Sequence, residues 1–173
     1  MDDEVSTLAR QDRDKKYATA MKQGHEHLQN GELADALSKF QAADSILEKS
    51  DYIRRAPALQ MVGVTSRLIG DLHRSSIALG YAKGFYKTAG NPLKAAACKR
   101  DLSAVHRTFA FLYLQKYGKT SDAFKNSKRN ALRYIKGSQT TLEDLVRQAP
   151  CGSDEYYVAM AELAATKSLG AEI

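Results

Sequence analysis

A repeat of 39 residues is the sequence feature that most constrains how this chain folds. Residues 31–43 align without a gap on residues 70–82, so that Gly, an acidic residue and Leu open both segments. Large apolar residues coincide further along, at Phe40 and Leu79. A second glycine stands seven residues before each segment, at Gly24 and Gly63, again 39 residues apart. A repeat of this length is typical of supersecondary units that stack on their neighbours.

The glycines predict where each unit turns and where its helices touch. Gly31 and Gly70 are placed to take the left-handed conformation that ends a helix at little cost. Gly24 lacks a side chain at a point where a partner helix must approach closely. Phe40 has small residues on either side of it on the same helix face, and we expect it to insert there as a knob. The repeat therefore predicts helical hairpins.

This pattern resembles the tetratricopeptide repeat family, in which small, large, turn-glycine, alanine, aromatic and alanine positions follow in order. The first copy matches at Gly24, His27, Gly31, Ala36, Phe40 and Ala43. The second, weaker copy has Gly63, Ser66, Gly70, Ser75, Leu79 and Ala82. A third, degenerate copy is visible only over 118–124 and departs from the pattern at Phe111, Ser127 and Asn130. The resemblance covers about residues 15–90 well and 92–136 loosely.

Composition predicts an all-α fold, because good helix formers fill most positions and no run alternates in polarity as a strand does. The resemblance implies a right-handed α-solenoid of antiparallel helix pairs, closed by C-terminal capping helices. We expect a frayed segment over 1–13, tetratricopeptide-like repeats over 14–137 and capping helices over 138–173, all in the same domain. The predicted helices lie near 14–29, 33–49, 54–69, 72–89, 92–117, 120–136, 141–149 and 153–169. Gly137 is predicted to end the sixth, and Ser153 to cap the last.

Charge is strongly segregated along the chain, whose net charge is +6. Residues 1–51 carry 7 Lys/Arg against 11 Asp/Glu, residues 52–137 carry 17 against 3, and residues 138–173 carry 2 against 6. A basic block of this kind indicates an acidic partner. It is also compatible with a solvated face, or with neutralisation by the acidic ends, either within one molecule or by self-association.

Catalytic chemistry is not indicated. His25 and His27 are two residues apart on a helix and point to different sides, so they do not form a metal pair. The run 118–120 (Gly-Lys-Thr) lacks the earlier glycine and the preceding strand of a phosphate-binding loop. No nucleophile is patterned with a base, and no carboxylates are paired on an apolar face. We expect no enzyme activity, no cofactor and no metal.

The two cysteines, Cys98 and Cys151, are too far apart in sequence for a metal or redox motif and are interpreted as reduced thiols. The chain has no apolar run of membrane-spanning length, and its acidic N-terminus does not read as a signal peptide. These features predict a cytoplasmic protein with no membrane span.

In the tetratricopeptide family, the first helix of each pair lines a groove that holds a peptide or a helix of a partner. The corresponding residues here, with two neighbouring arginines, are Met21, His25, Leu28, Arg54, Arg55, Gln60, Val64, Arg67, Thr108, Leu112 and Gln115. Met21 and Leu28 are expected to accept apolar anchors, and the arginines to hold acidic residues beside them. Met21 and His25 stand at two positions of the family's carboxylate clamp, so that clamp is not expected.

We therefore expect a protein-interaction adaptor that binds an acidic or amphipathic segment of a partner. Two alternatives stay open: a nucleic-acid-binding helical subunit of a larger nucleoprotein complex, and a secretion-type chaperone. The nucleic-acid alternative rests on aromatic residues interleaved with basic ones. They are Tyr81, Phe85, Tyr86, Phe109, Phe111, Tyr113 and Tyr117, next to Lys83, Lys87, Arg107 and Lys116. Aromatic residues at helical spacing are more often core, which is the interpretation we prefer, although the four within residues 109–117 cannot all face inward.

Overall fold

The computed structural model describes residues 2–170, with side chains from Thr7 onward, and within this range the chain is all-helical without a strand, as predicted. Neighbouring helices pack on one another: α1 on α2, α2 on α3, α5 on α6 and α6 on α7. The seven helices are α1 (Asp2–Gln29), α2 (Leu33–Ile46), α3 (Tyr52–Ile69), α4 (Leu72–Thr88), α5 (Pro92–Tyr117), α6 (Asp122–Gln148) and α7 (Asp154–Gly170). None of them is both long enough and apolar enough to cross a membrane.

The internal contacts divide the chain into two compact units, unit 1 (Met1–Phe85) and unit 2 (Tyr86–Ile173). Unit 1 contains α1 to α3 and most of α4, and unit 2 contains α5 to α7. Helix α1 begins at Asp2, so residues 2–13 of the predicted frayed segment are helical, and residue 1 lies outside the described residues.

The two hairpins of unit 1 pack by the same contact, 39 residues apart. A Cβ atom on Gly24 would lie 2.6 Å from Cε1 of Phe40, and one on Gly63 would lie 2.6 Å from Cγ of Leu79. Both of these large side chains are fully buried. The expected close approach at Gly24 and the expected insertion of Phe40 are both confirmed. The structure adds that the two form one contact, and the weaker second copy uses Gly63 and Leu79 in the same way.

The turns of unit 1 are also equivalent. Gly31 and Gly70 have φ values of +77° and +95°, so the predicted left-handed conformation is confirmed at both. The same backbone hydrogen bond closes both turns, at 2.9 Å from Glu32 N to His27 O and from Asp71 N to Ser66 O. This bond satisfies carbonyl groups that the end of a helix otherwise leaves unpaired.

The α5–α6 hairpin of unit 2 combines buried apolar side chains with two buried serine contacts. The buried hydroxyls of Ser103 and Ser138 donate to the backbone carbonyls of Ala131 (2.9 Å) and Ala96 (2.8 Å) on the facing helix. Phe111, which stands where the repeat has its small residue, is 56% exposed. The degenerate third copy therefore does not reproduce the hairpin contact of unit 1.

Helix α6 runs without a break from Asp122 to Gln148, so the predicted helix end at Gly137 and the separate helix near 141–149 are wrong. Ile135, Ser138 and Leu142 are buried at helical spacing on both sides of Gly137. The Gly137 carbonyl also accepts a hydrogen bond from Lys99 Nζ on α5, at 3.0 Å. Packing against the neighbouring helices outweighs the cost of an interior glycine, which is only about 1 kcal/mol.

The last helix begins where the sequence indicated. Ser153 Oγ accepts a hydrogen bond from Tyr156 N at 3.2 Å, which confirms the predicted cap of α7. Ala159, Leu163 and Thr166 are buried, and Leu163 belongs to a core cluster with Leu142 of α6. Helix α7 therefore covers α6.

Candidate binding surfaces

The predicted groove residues of α1 support the core of unit 1 from its edge. Met21 and Leu28 are half-buried and pack against the cluster that contains Phe40. His25 is exposed, and its ring lies 5.1 Å from the Phe40 ring in an edge-on arrangement. Both apolar side chains therefore already have partners within this chain.

Arg54, predicted to hold an acidic residue of a partner, is paired within the chain. Its guanidinium forms salt bridges with Asp14 of α1 and with Asp51, the cap of α3. Burial alone would raise the pKa of the Asp51 carboxyl, but the hydrogen bonds from the Arg54 side chain and backbone outweigh it, and this pKa is lowered. The pKa of Arg54 is raised, first by its hydrogen bond to Asp51 and then by the one to Asp14.

Arg55 is held in a comparable way on another side of α3. Its Nε lies 2.7 Å from Asp44 Oδ1 and its Nη2 lies 3.1 Å from Asp44 Oδ2, a two-point pairing that fixes the guanidinium plane. The hydrogen bond to Asp44 raises the pKa of Arg55 despite its partial burial. The guanidinium carbon also lies 5.6 Å from the centre of the Phe85 ring. Arg55 thereby connects α2, α3 and α4.

These salt bridges show how the acidic ends of the chain balance part of the basic block. In unit 1, Asp14 and Asp44 of the acidic N-terminal segment neutralise arginines at the start of the basic block. In unit 2, Glu162 of the acidic C-terminal segment pairs with Arg100. Each unit therefore neutralises part of the basic block within itself.

An open groove of about 810 Å³ lies among α2, α3 and α4 in unit 1. Its apolar lining includes two large side chains of α4 that are exposed, Ile77 (52%) and Tyr81 (60%). The lining residues are Gln41, Asp44, Lys49, Arg55, Leu59, Val62, Asp71, His73, Arg74, Ile77, Ala78, Tyr81 and Phe85. The groove thus combines an apolar floor with charged ends.

This groove is not on the face of α3 that the family resemblance implied. Arg55, Leu59 and Val62 recur at helical spacing and line the groove. Gln60, Val64 and Arg67 recur at the same spacing about half a turn away, so they face elsewhere. Among the residues predicted to bind a partner, only Arg55 lines the open groove. A sequence signal for the groove existed in the apolar pair Ile77 and Tyr81, four residues apart.

The remaining predicted residues fall in unit 2. Thr108 is half-buried and donates its hydroxyl to the carbonyl of Ala104 at 3.1 Å, within α5. Leu112 and Gln115 are exposed on the same helix. The structure therefore distributes the predicted set over both units.

Unit 2 carries an aromatic strip, defined here as His106, Phe109, Tyr113 and Tyr117 of α5 with Tyr134 of α6. The His106 and Tyr134 rings stack at 5.5 Å and 14°, and the Phe109 and Tyr113 rings stack at 5.9 Å and 10°. Tyr117 is 54% exposed, and the other four members of the strip are half-buried. The expectation that the aromatic residues of this segment do not all face inward is confirmed.

Cations flank the strip at both ends. Lys116 Nζ lies 5.1 Å from the centre of the Tyr117 ring, and the guanidinium carbon of Arg133 lies 5.0 Å from that of Tyr134. Burial, followed by the charge of Arg133, lowers the pKa of His106. His106 Nδ1 is buried and has no hydrogen-bond partner within the described part of the chain. The strip therefore favours the neutral form of this histidine.

A small acidic cluster at the first turn was not anticipated from the sequence. His27, Glu32 and Asp35 each place one ligand atom within 4.8 Å of the others, and His27 Nδ1 lies 2.5 Å from Glu32 Oε2. From the sequence, His27 was considered as a metal ligand only together with His25, and that pair was rejected. Glu32 and Asp35 are exposed. The hydrogen bond between Glu32 and His27 explains why these two side chains lie close together.

Comparison with known proteins gives no assignment for this chain. No protein-family model matches the sequence, and a search of curated proteins finds no match. The class that the fold defines is an all-helical protein of two compact units, each with an exposed surface of distinct chemistry.

Proposed function

We propose that this chain is a non-enzymatic interaction module of the tetratricopeptide-like class, whose α2–α3–α4 groove binds an amphipathic segment of a partner protein. The observation that carries the proposal is the open groove of about 810 Å³ with Ile77 and Tyr81 exposed along it. Right-handed stacking of the hairpins as a solenoid is part of the proposal. It is supported by the equivalent Gly24–Phe40 and Gly63–Leu79 contacts.

The size of the groove supports a peptide segment as the occupant. Pockets of roughly 300–1,000 Å³ hold small ligands or a few side chains. Two or three apolar anchors would cover Ile77 and Tyr81 and remove them from water, at about 1.5–3 kcal/mol for each fully buried side chain. After the cost of association, such a contact gives micromolar rather than nanomolar affinity.

The charges at the ends of the groove indicate what flanks those anchors. Asp44 and Asp71 are already paired, with Arg55 and Arg74. Lys49 also lines the groove, so its lining carries one more Lys/Arg than Asp/Glu. A partner segment with an acidic residue next to its apolar side chains complements this arrangement.

The proposal is tested by selecting peptides from a random displayed library on the full-length chain and measuring their affinities. We expect the retained peptides to be amphipathic and acidic, and their affinity to fall at least tenfold for Ile77→Asp, which places a charge on the apolar floor. Ile77 is exposed, so this variant should retain its fold, as circular dichroism would verify.

A matched control is available on α3. Ile53 is exposed as well and does not line the groove, and its helical position is close to the face of Gln60 and Val64. Ile53→Asp should leave peptide affinity unchanged. Loss of binding in Ile53→Asp but not in Ile77→Asp would place the peptide on the first-helix face and refute the α2–α3–α4 groove as its site.

A further inference from the structure

The α5–α6 hairpin of unit 2 has an unneutralised basic face, defined here as Lys125, Lys128, Arg129, Arg133 and Lys136 of α6. From this face and the aromatic strip beside it, we propose that the hairpin binds single-stranded nucleic acid. The proposal is independent of the peptide groove, because every residue in it belongs to unit 2.

The charge of this region is not balanced by acidic residues within it. Between residues 102 and 142 there are eight Lys/Arg, and Asp122 is the only acidic residue. All five members of the basic face are exposed. Within residues 7–170 none of the five forms a salt bridge, in contrast to Arg54, Arg55 and Arg100. A surface of this kind binds a polyanion and releases its counterions.

The basic residues are arranged along one side of α6. Lys125, Arg129, Arg133 and Lys136 recur at spacings of three and four, on the side away from the buried Ala131 and Ile135. They extend over the 12 residues from 125 to 136, about 17 Å of helix. A chain of phosphates can follow a row of this length, whereas a single small anion uses only one or two of its members.

The aromatic strip supplies the second half of a nucleic-acid site. Arg133 belongs to the basic face and also lies over Tyr134, so it joins the two features. Tyr117, at the far end of the strip, is 54% exposed and presents a ring to solvent. An exposed ring close to a basic row fits an unpaired nucleobase, which stacks on the aromatic side chain while the backbone follows the cations.

The combination of the basic face and the aromatic strip argues against other negatively charged ligands. An acidic peptide has the charge but no flat rings for the strip, and a duplex keeps its base faces stacked internally. An anionic membrane satisfies the charge and could cover the exposed Phe111, Leu112 and Leu132. It makes no use of the exposed Tyr117 ring as a stacking surface. Single-stranded nucleic acid alone uses both features.

The test is fluorescence anisotropy of a labelled 20-nucleotide oligouridylate with the full-length chain at 50–200 mM KCl. If about five phosphates are neutralised, affinity should fall roughly 100-fold across this range, from a slope of about −0.7 per phosphate. Lys125→Gln/Arg129→Gln/Lys136→Gln should weaken binding at least tenfold and make the slope less negative by about 2. Tyr117→Ala should weaken binding about tenfold while the slope stays unchanged.

The matched control removes the same charge from exposed residues of α1 in unit 1, with Lys15→Gln/Lys16→Gln/Lys22→Gln. It should leave affinity within about twofold. An equal loss in this control would show that net charge alone drives binding, and would overturn the proposal. So would tighter binding of a 20-base-pair duplex, equal competition by polyglutamate, or binding to phosphatidylserine vesicles without binding to the oligonucleotide.

Discussion

Gly24 and Gly63 show how a missing side chain sets the distance between two helices. Phe40 and Leu79 occupy the space that a Cβ at each glycine would need, and both are fully buried, so neither can move aside freely. We predict that Gly24→Ala lowers the free energy of unfolding by about 1–2 kcal/mol, because overpacking exceeds the gain in helix propensity. Urea denaturation followed by circular dichroism measures this change.

The control for this prediction is Gly80 in α4, where a Cβ would meet nothing within 4 Å. Gly80→Ala should raise the free energy of unfolding by up to about 1 kcal/mol. The only effect left at this position is that alanine loses less backbone freedom on folding than glycine. The cost of Gly24→Ala should also be smaller in a Phe40→Leu background, where the two changes couple. Equal stabilisation by both alanine substitutions would show that the close contact does not exist.

His106 gives a prediction about pH at the same scale. Its pKa is lowered in the folded protein by burial and by Arg133, whereas the unfolded chain takes up the proton near pH 6.5. The unfolded state therefore binds more protons as pH falls, and the contribution of His106 to stability, complete above pH 6.5, is lost below it. The expected result is that wild type loses more stability than His106→Phe between pH 7.5 and 5.5.

The phenylalanine substitution is informative because it keeps a ring against Tyr134 and removes the titration. Denaturant titrations of both proteins at the two pH values provide the comparison, so that other titrating groups cancel in the difference. Parallel loss of stability in the two proteins would rule out His106 as the source.

A contact between residues was predictable from the sequence only where the residue types allow a single way of packing. A repeated glycine allows little besides a close helix approach, and a large residue between small ones favours insertion, so the sequence predicted the roles of Gly24 and Phe40; the structure shows that they meet. An arginine side chain, by contrast, is long and flexible, so its guanidinium can pair with any of several carboxylates. The sequence therefore gave no means to choose between a partner's acid and Asp14 or Asp44, which Arg54 and Arg55 hold in the structure.

At the scale of elements, α6 shows tertiary packing overriding a local signal. Gly137 marked a helix end in the sequence, yet the helix continues through it, with Ser138 and Leu142 buried beyond it. A Cβ on Gly137 would lie 3.8 Å from Lys99 Cδ, which is ordinary van der Waals contact. We predict that Gly137→Ala raises the free energy of unfolding by about 0.5–1 kcal/mol.

Gly31 is the contrasting position, because its φ of +77° lies in the left-handed region. Gly31→Ala should destabilise the protein by about 1–2 kcal/mol, although nothing crowds its Cβ. Thermal melts of both variants distinguish the two kinds of glycine. If Gly137→Ala were as destabilising as Gly31→Ala, then α6 would end at Gly137, as the sequence suggested.

The sequence predicted the bounds of most helices well, but it did not predict how the two helices of the third hairpin pack. Caps such as Ser153 and turn glycines such as Gly70 act within a few residues, so they can be recognised locally. The α5–α6 contact includes serine hydroxyls that meet carbonyls 28 and 42 residues away. The third copy has Phe111, Ser127 and Asn130 where the repeat has small, large and small residues, and for this reason the pattern that identified the first two hairpins did not extend to this one.

At the scale of the whole molecule, the net charge belongs to one unit. Unit 1 carries 12 Lys/Arg and 12 Asp/Glu, whereas unit 2 carries 14 and 8. The +6 of the chain therefore resides in unit 2. A neutral unit with an apolar groove suits a peptide, and a basic unit with stacked rings suits a polyanion. The continuous basic block of the sequence hid this division, because its first arginines are neutralised inside unit 1.

The division predicts that the two binding activities are separable. Ile77→Asp should weaken peptide binding at least tenfold and leave oligonucleotide affinity within about twofold, and Lys125→Gln/Arg129→Gln/Lys136→Gln should do the reverse. The two surfaces share no residue and each lies within one unit, so their effects should add to within about 0.5 kcal/mol when combined. Anisotropy titrations of both ligands against the two variants and their combination, at 150 mM salt to screen long-range charge, measure the coupling. A coupling well above that value, or loss of both activities in either variant, would mean that one ligand site depends on both units.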